Sequence, residues 1–498
     1  MREDWEEVEL GQVLIQSKEK HKPEKTESLF YIGLEHIEKS TGCLTDSVGL
    51  AEIKTVKNKF RRGQLLYGKL RPYLNKVYLS NSAGVCSTDI LVFEVSQAVL
   101  GKFALLLMLS RKFVNDMSEN TNGVNLPRVS TKYVNAYPFP IPPLPEQRAI
   151  VAKIEELFSD LDKGIADLKK AQDQLKVYRQ AVLKKAFEGE LTKEWREQQT
   201  DLPTADELLE KIKVERQKHY EQQLNSWNQS VKTWEEKGKN GKKPTRPTKI
   251  KETIVLDVEE AKEFDYIPEN WFILEMQGIA DKITDGTHHT PTYTDDGVKF
   301  ISVKDIYSEQ VHFDNCKYIS QDEHKQLIKR CHPESGDILI TKSGTIGRMA
   351  IVPDIEFSLF VSVALMKVQS TKHLFHSKWI YYAVKFHLMG LNIDQDIKGG
   401  LLKNYHLEDL RLAKLIMVPL LEQHQIVQEI ESRLSVCDKV EESITESLEK
   451  AKALRQSILK KAFEGTLLSE EEIAACKAAP DYEPASVLLE KIKAEKKK

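Results

Sequence analysis

Cysteine is scarce in this chain: six among 498 residues, scattered at positions 43, 86, 316, 331, 437 and 476, with no CxxC pair. That spacing offers neither a disulfide framework nor a zinc cage, and it fits a reduced, cytoplasmic chain. No apolar run approaches the ~18 residues that a membrane span needs. The longest, AVLGKFALLLMLS, reads as a buried helix of a globular domain. The amino terminus, MREDWEEVEL, is acidic and lacks an apolar core, which excludes a signal peptide. Charge of one sign is also missing: 73 Lys and Arg face 76 Asp and Glu, for a net −3. Any binding of nucleic acid must therefore rest on local charge. Motifs for covalent chemistry are absent as well. There is no NPPY-like or FxGxG-like sequence for adenine methylation, no phosphate-binding loop, no PD…ExK nuclease pattern and no HExxH. The chain reads as non-catalytic on its own, with no cofactor and no metal.

What the sequence does have is a repeat. Residues 143–191 and 419–467 align without a gap, 276 positions apart, with 22 of 49 identical, including LKKAFEG in full. A repeat of this kind settles architecture before single residues are weighed. Each copy opens at a proline-rich lead and carries apolar residues every seven positions. These are Ile154, Leu161, Leu168, Leu175 and Val182 in the first copy, and Ile430, Cys437, Ile444, Ala451 and Ile458 in the second. The pattern predicts two helices of about 60 Å, packed on each other as an antiparallel coiled coil. Gly189 and Gly465 stand where C-terminal caps belong.

At this length the chain should divide into two to four domains. The blocks before each helix, residues 1–142 and 266–418, are weakly alike. Tyr31-Ile and Phe300-Ile match at an offset of 269, Gly63-Gln-Leu-Leu and Gly336-Asp-Ile-Leu at 273, and Lys102-Phe and Lys378-Trp at 276. Short alternating strands followed by one helical stretch make each block α+β. Residues 143–195 and 419–468 hold the long helices. Residues 196–265 read as a charged linker, partly helical and partly mobile, and 469–498 as a frayed tail. LLEKIK recurs at 208–213 and 488–493, so the duplication extends past the helices.

Four loops stand out. Residues 54–76 hold eight basic residues and no acid, with Arg61, Arg62, Lys69 and Arg71 as candidate phosphate and base contacts. A solvated strand pair would explain the run equally well if it stood alone. TDGTHHTP at 284–291 supplies Thr284, Thr287 and His288; no further ligand at a metal-like spacing accompanies its histidines, and a DNA-facing loop rich in hydrogen-bonding groups is favoured over a plain Asp-Gly turn. Lys342 and Ser343 open KSGTIG, which lacks the glycine before lysine and the following helix of a nucleotide-binding loop; a lysine on such a glycine turn is expected to touch DNA phosphate instead. Asn122 and Arg128, and Lys398 and Lys403, lie in Gly/Asn-bearing loops that precede the two helices.

Two variable α+β blocks, each followed by PLxEQ, a heptad helix and LKKAFEG, closely resemble the DNA-specificity subunit of type I restriction-modification systems. TDGTHHTP adds to the match, and the resemblance covers nearly the whole chain. It implies that each block is a target recognition domain reading one half of a bipartite site in double-stranded DNA. It implies helices that set the spacer and dock two methyltransferase subunits for adenine-N6 methylation, joined by restriction and translocation subunits. Leu183, Lys184 and Phe187, with Leu459, Lys460 and Phe463, are the expected docking residues. S-adenosylmethionine, ATP and magnesium would sit on those partners, and no membrane is involved. The long 196–265 segment departs from shorter members. A coiled-coil scaffold joining two protein-binding domains is the rival reading; it explains the helices but not the basic, glycine-punctuated loops.

Overall fold

The structure, a computed structural model, describes every residue except 1, 3, 23–26, 46–48, 124, 248, 251–252, 257–266, 391–403 and 496–498. It divides into two compact units, residues 1–172 with 442–498, and residues 173–441.

In unit one, strands β1 (Leu14–Gln16), β2 (Leu65–Gly68), β3 (Val77–Leu79) and β4 (Ile90–Val95) form an antiparallel sheet of order β1-β4-β2-β3. Leu65, Tyr67, Leu91 and Phe93 face one hydrophobic cluster, while Leu66, Ile90 and Val92 face another. Both faces are covered, so these strands read as continuous apolar runs although their side chains alternate. A second sheet of five short strands contains one parallel pair, with Tyr31 opposite Val85 and Ile32 opposite Cys86.

Unit two repeats this plan. Strands β5 (Lys282–Asp285), β6 (Ile338–Thr341), β7 (Met349–Ile351) and β8 (Val363–Lys367) take the same order, β5-β8-β6-β7. Ile338, Ile340, Ala364 and Met366 enter one cluster, and Leu339, Val363 and Leu365 another. The second sheet again has one parallel pair, Phe300 opposite Ser358 and Ile301 opposite Leu359. The offsets of 269 and 273 seen in the sequence are thus the registers of two copies of one fold.

Outside the sheets, the helices include α1 (Leu144–Phe187), α2 (Ala205–Glu236), α3 (Leu420–Glu464) and α4 (Ala485–Glu495). In unit one Arg455 of α3 pairs with Asp162 of α1; in unit two Arg179 of α1 pairs with Asp438 of α3 at 2.7 Å and with Glu441 at 2.9 Å. Asp162 and Asp438, like Arg179 and Arg455, are equivalent across the repeat. Two equivalent pairs formed in opposite senses mean that the helices run antiparallel. Of the heptad rows, Ile154, Val182, Ile430, Cys437, Ile444 and Ile458 are buried. In a second apolar row, set four residues before or three after the first, Ile150 and Ile426 are buried but Tyr178, Val440 and Leu454 are exposed. The seam is therefore one row deep in places, short of a full a/d interface.

The PLxEQ motif anchors each helix to its unit. Gln147 accepts from the Leu100 amide at 2.9 Å and donates to the carbonyls of Ala98 and Pro142. Gln423 does the same with the His376 amide and the carbonyls of Leu374 and Val418. Glu146 receives the Trp5 indole at 3.1 Å and Arg2 at 2.9 Å. Glu422 receives Trp271 at 2.9 Å, Thr192 at 2.9 Å and Arg196 at 2.5 Å. Burial raises the Glu146 pKa above the usual carboxylate range, and the charge of Arg2 and the Trp5 hydrogen bond offset this only in part.

Three expectations are corrected. The apolar residues of LKKAFEG are core, not docking surface. Phe187 stacks between Trp379 and Phe386, with ring centroids 4.8 and 4.7 Å apart, and Phe463 meets Phe103 at 5.3 Å. Leu183 and Leu459 are buried and Phe463 is partly buried, while of the expected docking residues Lys184 and Lys460 stay in solvent. The 196–265 segment is helical in part, as expected, but its described residues are packed where a mobile linker was expected. A capping box between Thr204 and Glu207 starts α2, and Leu208 and Ile212 enter the unit-two core. The segment after it folds back along the helix: Trp234 donates to the Gly241 carbonyl at 3.1 Å and Trp227 to the Pro244 carbonyl at 3.0 Å. Nor is the tail frayed through its length, since Leu488 and Ile492 of α4 enter the unit-one core. LLEKIK recurs because each copy packs a helix on its own unit.

Candidate nucleic-acid interface

In unit one the chain leaves β2 into the loop that carries Lys69 and Arg71. Lys69 donates its amide to the Asp89 carbonyl at 3.0 Å and accepts the Val129 amide on its own carbonyl at 3.0 Å. Leu70 bridges Arg128, and the Arg71 amide bonds the Pro127 carbonyl at 2.7 Å. Arg71 itself is exposed and lies in the left-handed region (φ 52°), which throws its side chain clear of the strand. Asn122 pairs across a short hairpin with Arg128. Asp89 receives Arg128 through two guanidinium nitrogens at 3.2 and 3.3 Å, with the Lys69 ammonium at 3.8 Å. Lys69 and Arg128 thus share one carboxylate that sequence reasoning missed, and backbone pairing ties Arg71 and Asn122 to the same pair of loops. Arg61 and Arg62 lie at the opposite end of β2, in the turn that enters it, and Arg61 is paired with Glu19.

In unit two the same brace is built from different side chains. Lys342 donates its amide to the Ser362 carbonyl at 2.9 Å and accepts the Tyr405 amide at 2.7 Å. Ser343 bridges Asn404. The Lys342 side chain does not reach solvent. It is 8% exposed and pairs with Asp285 at 3.2 Å. The expected phosphate contact gives way to a buried ion pair. Asp285 also receives Arg330 at 2.6 Å and His288 at 3.2 Å. Burial alone would raise its pKa, but the hydrogen bonds from Arg330 and His288 and the charge of Lys342 outweigh it and hold the carboxyl below its ordinary value.

The TDGT run explains this placement. A Cβ on Gly286 would lie 1.9 Å from the Leu359 carbonyl oxygen, so only glycine allows the close approach. The Thr287 amide then bonds that carbonyl at 2.8 Å, and the Val361 amide bonds the Thr287 carbonyl at 2.9 Å. Thr284 and Thr287 are buried and position the loop, whereas His288 and Arg330 reach solvent at 58% and 55%. Arg330 escaped sequence reasoning; the basic pair that ends QDEHKQLIKR was its only signal. Lys398 and Lys403 lie outside the described residues. Among the described residues no group of three or more His, Cys, Asp or Glu could hold a metal, and no helix is long and apolar enough to cross a membrane.

Two copies of one α+β unit, each presenting a braced cationic loop, define a two-headed binding protein built by duplication. The model of the type I restriction modification DNA specificity domain matches residues 2–170 and again 268–450, and the chain belongs to that family. It is 32% identical over 219 residues to the type I restriction enzyme EcoDI specificity subunit of Escherichia coli, covering 43% of this chain and 49% of that one. It is 25% identical over 387 residues to the EcoBI specificity subunit of Escherichia coli, covering 77% of this chain and 70% of the relative. The chain thus spans about half the length of the first relative and over two thirds of the second. Among solved structures, one described as the structural basis of complex assembly and conformational transition of the type I R-M system is similar in fold. Its TM-score is 0.65 at 19% identity, over 94% of this chain and 99% of that chain.

Proposed function

We propose that the chain is the non-catalytic reader of a type I restriction-modification complex, with each unit recognising one half of a bipartite duplex site. The observation that carries this reading is the equivalence of the two braced loops. Lys69 and Lys342 make the same two backbone bonds, to Asp89 and Val129 in one unit and to Ser362 and Tyr405 in the other. One scaffold therefore offers different side chains, as reading two unlike half-sites requires. The long helices set the spacer between half-sites, and their equivalent exposed lysines, Lys184 and Lys460, offer like surfaces to two methyltransferase subunits. S-adenosylmethionine, ATP and magnesium belong to those partners and to the restriction subunits. A net charge of −3 is compatible with DNA binding if the partners share the neutralisation of phosphate.

The test is reconstitution. The purified chain should transfer no methyl group alone and should direct adenine methylation to one interrupted sequence when its methyltransferase partner is added. Methylation by the chain alone, or unchanged methylation specificity when it is omitted, would overturn the reading. Salt-dependent, sequence-specific DNA binding by the complex excludes the protein-joining scaffold.

A further inference from the structure

The 196–265 segment does more than pack on its unit. Between α2, the return segment that carries Arg246, Lys249 and Ile250, and the β5 side of unit two lies a groove of about 870 Å3. Eight Lys or Arg side chains line it against two carboxylates, Asp281 and Glu334. In a chain of net −3 this is a local excess of one sign. Glu334 is already engaged by Lys367 at 2.7 Å. On the far wall Arg246 is held over the Trp227 ring at 5.7 Å, and Trp227 pins the return segment through the Pro244 carbonyl. Lys249 follows, exposed. On the near wall Lys282 donates to the Arg330 carbonyl at 2.5 Å. Burial lowers the Lys282 pKa; the nearby Cys331 opposes this, and the positive charges of Lys367 and Arg330 add to the lowering. Like charges are thus held together at one place, an arrangement that an anion relieves.

The groove is continuous with the candidate reading loop. Lys282 is the first residue of β5, whose last is Asp285, and Arg330 lines the groove while bonding that carboxylate. Resting on the DNA-reading function proposed above, we infer that this groove holds the sugar-phosphate backbone of the duplex flanking the second half-site. The inserted helix would thereby lengthen the footprint on one side only. Phosphate contacts of this kind position the duplex without reading its sequence.

The experiment uses the full chain in complex with its methyltransferase partner. Arg246→Ala/Lys249→Ala/Lys282→Ala, all at exposed positions, should lower the slope of log affinity against log salt by about 2–3. It should weaken all sequences alike. Lys249→Ala alone should lower the slope by about 1, which keeps the test open if the triple variant folds poorly. Removing one helical turn of duplex beyond the second half-site should weaken wild type and not the triple variant. The same truncation beyond the first half-site should affect both equally. Unchanged slope and unchanged truncation response in either variant, with specific binding by wild type intact, would overturn the groove assignment alone. So would loss of an acidic protein partner with DNA binding unaltered. Failure of the wild-type complex to bind any bipartite duplex would overturn the underlying function and the groove with it.

Discussion

Glu146 and Glu422 hold equivalent places in the repeat, yet replacing each with glutamine should have unequal effects. Glu422 is fully buried, and its two oxygens take Thr192, Arg196 and Trp271. Arg196 is itself only 16% exposed and forms an ion pair with that carboxylate. Glu422→Gln leaves a largely desolvated guanidinium without its counter-charge, a loss of the order of 3–5 kcal/mol. In unit one Arg2 keeps a second carboxylate, Asp4, at 2.6 Å. Glu146 is also held less firmly in its charged form, its pKa being raised by burial. Glu146→Gln should therefore cost about 1–2 kcal/mol, near the worth of the hydrogen bonds weakened. For units of this size about 2–4 °C of melting temperature accompanies each kcal/mol. Calorimetry of the full chain should show a transition lowered by roughly 6–20 °C for Glu422→Gln and by roughly 2–8 °C for Glu146→Gln, on the same conversion. Equal shifts, or a larger one for Glu146→Gln, would refute the claim that Asp4 is the difference.

Phe187→Ala should cost about 3–5 kcal/mol by leaving a cavity between Trp379 and Phe386; denaturant melts would show it, and a near-neutral result would return Phe187 to the role of docking residue. Arg71→Ala should relax discrimination in the first half-site and Asp285→Asn in the second, each by the ~1–3 kcal/mol of a base contact. Methylation of duplexes altered in one half at a time reads this out, and loss in both halves from either change contradicts separate readers. His376 has its pKa lowered by burial, then by the nearby charges of His424 and Lys378, with Glu431 opposing. A base with a depressed folded pKa contributes stability that is present above its unfolded value, near 6.5, and lost as pH falls through the folded value. Unfolding in urea at about pH 8 and about pH 5.5 should show that loss, and His376→Gln should diminish it.

Much of the fold was legible because duplication writes itself into sequence as a constant offset. The offsets at Tyr31 and Phe300, and at Gly63 and Gly336, are the strand registers of two equal sheets. The heptad rows were legible for the same reason, since periodicity survives without knowledge of partners. What stayed hidden depends on residues distant in the chain. Nothing near Phe187 announces that Trp379 will cover it, so an amphipathic face was taken for an outward one. Lys342 looked like a free cation on a glycine turn because Asp285 lies 57 residues earlier. Lysine-rich 237–251 has the composition of a solvated linker, and only Trp227 and Trp234 distinguish it. A single aromatic donor finding one carbonyl leaves no periodic trace.

The two candidate reading loops show what duplication kept and what it released. Two backbone bonds of the loop lysine recur in both units, as do the bridges Leu70–Arg128 and Ser343–Asn404. The carboxylate that organises the cations does not. In unit one it comes from Asp89, whose counterpart in unit two is Ser362. In unit two it comes from Asp285 on the edge strand; by the registers of β1 on β4 and β5 on β8, the matching position in unit one is Lys18. The organising charge stands on one wall of the loop in unit one and on the other in unit two; the vacated position is the neutral Ser362 in unit two and the basic Lys18 in unit one. Since the backbone brace makes no use of either side chain, such a move leaves the strands in register and costs the fold little. It does change which cations face solvent: Arg71 and Arg128 in one unit, His288 and Arg330 in the other. A fold that holds its loops by main-chain bonds can vary what it reads by moving one carboxylate, without altering the scaffold that does the reading.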